Sequence, residues 1–268
     1  MILKLNDINY YVNVHGKGFP LLLLHGFTGS SENWHPFIKF WEHSFQLIMV
    51  DIIGHGKTES PDNAKRYSMD YVTDDLLELL NKLDLDKINL LGYSMGGRLA
   101  LSFAIKYPNR VHRLILESTS PGLQSLNERK ERMIRDEKLA ERIMSQGIEA
   151  FVDYWEAIPL FASQNKLSKE KKTALKKQRL CNSTIGLANS LRGMGTGIQP
   201  SWWEHLADLN IPTLLLVGEL DKKYCQIARL MCNKLPNSEL KVIKNTGHNV
   251  HLEEPQIFSQ IVLHYLLN

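Results

Sequence analysis

The chain has little cysteine, almost no excess of charge of either sign and no long apolar run, and each shortage removes a class of protein. Cys181, Cys225 and Cys232 are the only cysteines in 268 residues, too few for a disulfide framework. Cys225 and Cys232 lie in one expected helix, which would hold their Cα atoms roughly 10 Å apart, beyond disulfide reach. A reducing setting, the cytoplasm, is therefore expected. The formal net charge is only +3, with the basic residues scattered, so nothing resembles a nucleic-acid footprint. No run of about 18 apolar residues occurs, so no transmembrane segment is expected. Met1 to Tyr11 alternates apolar and polar residues and offers no apolar core for a secretory signal. Internal repeats are also missing. What is present is 43% apolar content, enough for one large core.

Along the chain, Ile2–Leu5 and Ile8–Val14 alternate as a β-hairpin would. Short apolar runs at Pro20–Leu24, Phe45–Val50, Lys87–Leu91, Val111–Leu116, Ile211–Val217 and Ser238–Ile243 read as strands. Between them lie segments of helical spacing, at Asn33–Glu42, Met69–Leu83, Leu99–Ile105, Tyr224–Leu235 and Pro255–Leu267. Strands alternating with helices imply a mainly parallel sheet covered on both faces. From Thr119 to about Ser201 no strand run appears, and the segment is charge-rich with helical spacing. It is too long for a loop and reads as too polar for a second core. The expected division is an α/β core of residues 1–119 and 202–268, with residues 120–201 as an inserted helical lid.

Gly92-Tyr93-Ser94-Met95-Gly96 fits G-x-S-x-G between a strand and a helix, the context of a nucleophile elbow. Gly92 and Gly96 lack Cβ atoms and let strand and helix approach closely. Alone the motif is weak; it gains force from residues downstream. Asp221 and His248 each follow the end of a later strand, where sites form in such sheets. The order Ser, Asp, His is that of an α/β-hydrolase triad. Glu117 and Glu219 compete with Asp221 for the acid, Glu117 as the main rival. His251 competes with His248, which has the freer loop position. His248-x-x-His251 lacks a third ligand at metal spacing, so no metal is expected. His25-Gly26-Phe27 follows a buried strand and can aim the Phe27 N–H into a site, while His25 and His55 read as structural. Asp51 braces its loop. Arg98, in the first turn after the elbow, places a cation beside the pocket; most charges of residues 120–201 read as solvated helix faces.

His25-Gly26, Asp51-x-x-Gly-His-Gly, the Ser94 elbow, Gly-Glu-x-Asp221 and Gly-His248-x-x-His-x-Glu-x-Pro255 together resemble the α/β-hydrolase superfamily over the whole chain. A narrower resemblance rests on Gly-Tyr93-Ser94-Met-Gly-Gly-Arg98, Pro121-Gly-Leu-Gln124, Glu128-Arg129, Arg132, Arg135-Asp136, Trp155, Phe161-Ala-Ser163, Arg179 and Gln199-Pro200. These are similar to the 2-succinyl-6-hydroxy-2,4-cyclohexadiene-1-carboxylate synthases of menaquinone biosynthesis. That resemblance implies a lyase that expels pyruvate from a tricarboxylate, 2-succinyl-5-enolpyruvyl-6-hydroxy-3-cyclohexene-1-carboxylate. It implies no cofactor, and substrate contacts at Tyr93, Arg98, Arg132, Trp155 and Arg179. Three arginines suit three carboxylates.

The expected mechanism uses Ser94 as a base, relayed by His248 and oriented by Asp221, with the Phe27 and Met95 N–H groups as oxyanion hole. The same constellation also serves a carboxylesterase or a C–C hydrolase of an acidic substrate, and the fold also hosts non-enzymatic receptors. A small-molecule polycarboxylate is the expected partner.

Overall fold

The computed structural model describes all residues from Met1 to Asn268. Its strands are β1 (Ile2–Leu5), β2 (Ile8–His15), β3 (Phe19–Leu24), β4 (Phe45–Val50), β5 (Ile88–Tyr93), β6 (Val111–Glu117), β7 (Thr213–Gly218) and β8 (Ser238–Ile243). They form one sheet in the order β1-β2-β4-β3-β5-β6-β7-β8. The pairs β1/β2 and β2/β4 are antiparallel, and every later pair is parallel. The inner strands β5 and β7 are buried along their whole length, which is why they read as mainly apolar rather than alternating: both faces are covered.

The helices of the core before the insertion are α1 (Ile38–Trp41), α2 (Met69–Lys82) and α3 (Met95–Lys106). One apolar cluster packs α2 and α3 on one face of the sheet, through Val72, Leu76, Leu99 and Phe103. A second, with Trp34, Phe37, Trp41, Phe258 and Val262, covers the other face. The chain leaves β3 toward β4 on one side, and β5 passes to β6 on the other. The boundary between β3 and β5 is therefore the switch point, where such sheets open a crevice beyond their strand ends.

The expected helix over Asn33–Glu42 is instead a 3-10 segment, Ser31–Phe37, followed by the single turn of α1. Pro36 inside it has no N–H to donate, and the Ser30 hydroxyl caps its start, so the tighter turn replaces the α-helix.

Between β6 and β7 the chain has no strand. It forms α4 (Leu126–Glu156), a 3-10 segment (Pro159–Lys166), α5 (Lys169–Leu180) and α6 (Thr184–Met194). Ser125, Ser168 and Ser183 cap the three helices with their hydroxyls. α4 is interrupted at Gly147, where φ is 80° and ψ is 175°. The insertion is not too polar for a core of its own. Ala140, Ile143, Phe151 and Val152 of α4 bury against Leu187, Ala188 and Leu191 of α6. The expectation missed this because the two apolar stripes belong to helices far apart in sequence, and α6 is diluted by glycine, serine and asparagine. After β7 come α7 (Lys222–Cys232), α8 (Val250–Glu253) and α9 (Pro255–Leu267).

Candidate active site

Ser94 stands between β5 and α3 with φ 50° and ψ −107°, a conformation costing on the order of 1–3 kcal/mol for a residue with a side chain. Its surroundings hold it there. A Cβ on Gly92 would lie 2.3 Å from the Gly96 carbonyl oxygen, and one on Gly96 would lie 2.4 Å from those of Leu24 and His25, so only glycine permits the close approach. The Ser94 N–H donates to the Glu117 carbonyl on β6 at 2.8 Å, and the Thr119 hydroxyl donates to the Ser94 carbonyl at 2.9 Å.

The loops after β7 and β8 bring Asp221 and His248 to this serine. His248 Nε2 lies 3.0 Å from Ser94 Oγ, and His248 Nδ1 lies 2.6 Å from Asp221 Oδ2. The second carboxylate oxygen of Asp221 accepts the Tyr224 N–H and caps α7, so the acid is fixed from both sides. His248 is 2% exposed and Asp221 9%. With Nδ1–H donating to the carboxylate, Nε2 is left to accept the serine proton.

The Phe27 N–H, in the loop after β3, donates to no other group of the chain. Met95 is the first residue of α3, where helix geometry leaves its N–H without an intrahelical acceptor. Both residues line the cavity that Ser94 opens into.

Glu117, the rival acid, is otherwise engaged. Its carboxylate accepts the His251 N–H at 3.0 Å and pairs with His251 Nδ1 at 2.7 Å, fully buried. The Tyr93 ring lies against both histidines, 5.5 Å from His248 and 4.8 Å from His251 between centroids. His251 is therefore the partner of Glu117, and His248 of Asp221. His25 and Asp51 are structural: His25 Nε2 accepts the Ile52 N–H, and the Asp51 carboxylate accepts the N–H groups of Ser31 and Lys57.

The cavity has a volume of about 200 Å³. Tyr93 and Phe27 from the core, and Trp155 and Phe161 from the insertion, make its apolar walls. The Trp155 indole N–H is buried without a partner. Three cations line it, Arg98, Arg132 and Lys223, and no aspartate or glutamate does. Arg98 is partly buried; it donates to the Met194 carbonyl at 2.6 Å and to the Gln199 side-chain oxygen. Both acceptors are neutral. Burial first, and then the neighbouring Arg132, pull the Arg98 guanidinium down to about 10. Arg132 pairs with Asp136 at 2.7 Å.

Arg179 departs from its expected place. It is not among the residues that line the cavity. Its guanidinium pairs with Glu156 at 2.9 Å and lies over the ring of Phe161, a residue of the wall. It sits on α5, which packs against α4. Lys223 was missed. It follows the triad acid by two positions, and the expected helix began only at Tyr224; an Asp N-cap at Asp221 would have placed it in the first turn. Ser190 and Thr196, two further polar residues of the wall, carried no sequence signal at all.

Known proteins resemble this chain over most of its length. A family model of the alpha/beta hydrolase fold matches residues 20–255. A Bacillus subtilis (strain 168) protein, provisionally named 2-succinyl-6-hydroxy-2,4-cyclohexadiene-1-carboxylate synthase, is 49% identical over 92% of this chain and 89% of its own length. A protein of that name from Photorhabdus laumondii is 33% identical, over 92% of this chain and 84% of its own. The structure of MenH from S. aureus superposes with a TM-score of 0.91 at 39% identity, covering 96% of this chain and 97% of that one. The chain belongs to the α/β-hydrolase fold family and, within it, to the family of the 2-succinyl-6-hydroxy-2,4-cyclohexadiene-1-carboxylate synthases.

Proposed function

We propose that the protein is a carbon–oxygen lyase of menaquinone biosynthesis. It converts 2-succinyl-5-enolpyruvyl-6-hydroxy-3-cyclohexene-1-carboxylate to 2-succinyl-6-hydroxy-2,4-cyclohexadiene-1-carboxylate and pyruvate. The names of its relatives support the reaction. The observation that carries it to this chain is the cavity wall beside Ser94, which has three cations and no carboxylate. That wall suits a polyanion and gives nothing to a neutral ester.

In this reading His248, oriented by Asp221, takes the Ser94 proton, and Ser94 removes the ring proton α to the succinyl ketone. The developing enolate oxygen accepts the N–H groups of Phe27 and Met95, each worth on the order of 3 kcal/mol in the transition state. The enolate collapses through the ring double bond, and the C–O bond to the enolpyruvyl group breaks. The departing enolpyruvate takes up a proton and becomes pyruvate; no water is consumed. Arg98, Arg132 and Lys223 hold carboxylates, Trp155 offers its free N–H, Tyr93 packs the ring, and Arg179 positions Phe161. Residues 120–201 act as a lid over Ser94, supplying Arg132, Trp155 and Phe161 to the wall.

Incubation with the enolpyruvyl substrate and detection of pyruvate tests the proposal. Rapid turnover with little hydrolysis of p-nitrophenyl acetate is expected. Fast ester hydrolysis without pyruvate release would replace the lyase by a carboxylesterase.

A further inference from the structure

The cavity does not end at its cations. Arg132, Leu139 and Lys223 also line a second hollow outside it, of about 490 Å³. The outer hollow adds Arg135, Lys138 and Arg142 from α4. Positions 132, 135, 138 and 142 recur at intervals of three and four and so share one helix face. Like charges at this spacing repel, and little in the fold relieves them. Asp136, the one acidic residue of the hollow, is tied to Arg132. Arg135 reaches Glu131 only at 4.0 Å, with both side chains largely exposed. Lys138 and Lys223 have no carboxylate within ion-pair distance. Arg142 lies over the Tyr154 ring, 4.1 Å from its centroid, and donates to Gln146, so its guanidinium is held in place. The whole chain carries a formal charge of only +3; the concentration of cations here is local.

We propose that this hollow is an anion-docking vestibule, where a polycarboxylate binds before it enters the cavity. The inference rests on the proposed polycarboxylate substrate and adds a second site to it. Arg135, Lys138 and Lys223 are exposed, whereas Arg98 is only partly so. A trianion thus meets exposed charges first, exchanges part of its water for them, and is passed inward across Arg132 and Lys223, which belong to both spaces. Clefts lined by one sign of charge raise association rates tenfold or more, and the gain is screened by salt.

The test is the triple variant Arg135→Gln, Lys138→Gln, Arg142→Gln, which leaves Arg98, Arg132 and Lys223 in place and relieves repulsion along α4. Two measurements are made on wild type and variant. The first is kcat and kcat/KM for pyruvate release across a salt series. The expected result is a roughly tenfold loss of kcat/KM at low salt, with kcat unchanged and the salt dependence flattened. The second is calorimetric binding of citrate, a stable tricarboxylate, expected to weaken about tenfold in the variant and to grow less salt-dependent. Equal kcat/KM, equal salt slopes and equal citrate binding in the two proteins would overturn the vestibule while leaving the lyase intact. Weakened citrate binding in a protein that releases no pyruvate would leave the anion site standing and overturn the substrate.

Discussion

Arg98 is the residue on which the choice between lyase and hydrolase turns. Its guanidinium is partly buried and donates only to neutral acceptors, and desolvation pulls its pKa down to about 10. Such a cation has no carboxylate within ion-pair distance, since the nearby Asp136 is tied to Arg132, and a substrate carboxylate would supply one. Arg98→Ala is expected to lose about 2 to 5 kcal/mol of transition-state binding for pyruvate release, the range seen when one partner of a buried pair is removed. Arg98→Lys should recover only part, because an ammonium lacks the planar fork. Weak ester hydrolysis should survive in both. Measured kcat/KM values that are equal in the three proteins would return Arg98 to a purely structural role. A second residue-level prediction separates the two buried acids. Asp221→Asn should lower kcat by about ten-thousand-fold, since it leaves His248 in the wrong tautomer. Glu117→Gln should cost far less in rate, because that carboxylate meets His251. The reverse ranking would move the catalytic acid to Glu117. Ser94, Asp221 and His248 were legible because each sits at a strand end in a fixed chain order. Arg179 does not reach the cavity lining directly, and a sequence match that locates a residue on a helix does not say what packs beside it, here Phe161.

Among the elements, α4 determines the wall of the site, and Gly147 determines α4. The φ of 80° and ψ of 175° there fall in a region that is essentially open to glycine alone. A Cβ would meet nothing within 4 Å, so the strain is purely conformational. Gly147→Ala is therefore expected to destabilise the fold by about 1–3 kcal/mol. It should also shift Trp155, which follows on the second half of α4 and lies 5.3 Å from the Phe27 ring. Thermal unfolding and Trp155 fluorescence check this; an unchanged melting temperature would mean that α4 straightens at no cost. In the sequence Gly147 divides a charge-rich stretch, residues 128–146, from an apolar and aromatic one, residues 148–157, although a single glycine in a helical pattern also reads as a tolerated weak point. The strands were far easier. Their apolar runs are dictated by burial on both faces, whereas the insertion's core needs α4 and α6 to be brought together before its stripe is visible.

For the whole molecule, sheet and insertion meet along a line of rings that ends in the site. His25 and His55 lie 5.2 Å apart, the Phe27 ring lies 5.7 Å from His55, and Trp155 packs on Phe27. Both histidines are completely buried, and burial lowers His25 to about 4 and His55 to about 3, with His25 adding to the effect on His55. The unfolded chain titrates them near 6.5. Above that value both states are neutral and the contribution of these residues to stability is complete. As pH falls below 6.5, the unfolded chain binds protons that the fold refuses, so stability declines with falling pH. The decline runs down to about 4 for His25 and about 3 for His55. By about pH 4 it amounts to on the order of 3 kcal/mol per histidine. Protonating His25 would also remove the acceptor of the Ile52 N–H, and would loosen the loop that aims the Phe27 N–H. Urea midpoints should therefore fall between pH 7 and 4, and activity should be lost together with the fold. In His55→Gln the drop should shrink by about half, after allowance for the lower starting stability. If the midpoint falls equally in wild type and variant, the acid sensitivity lies elsewhere in the core.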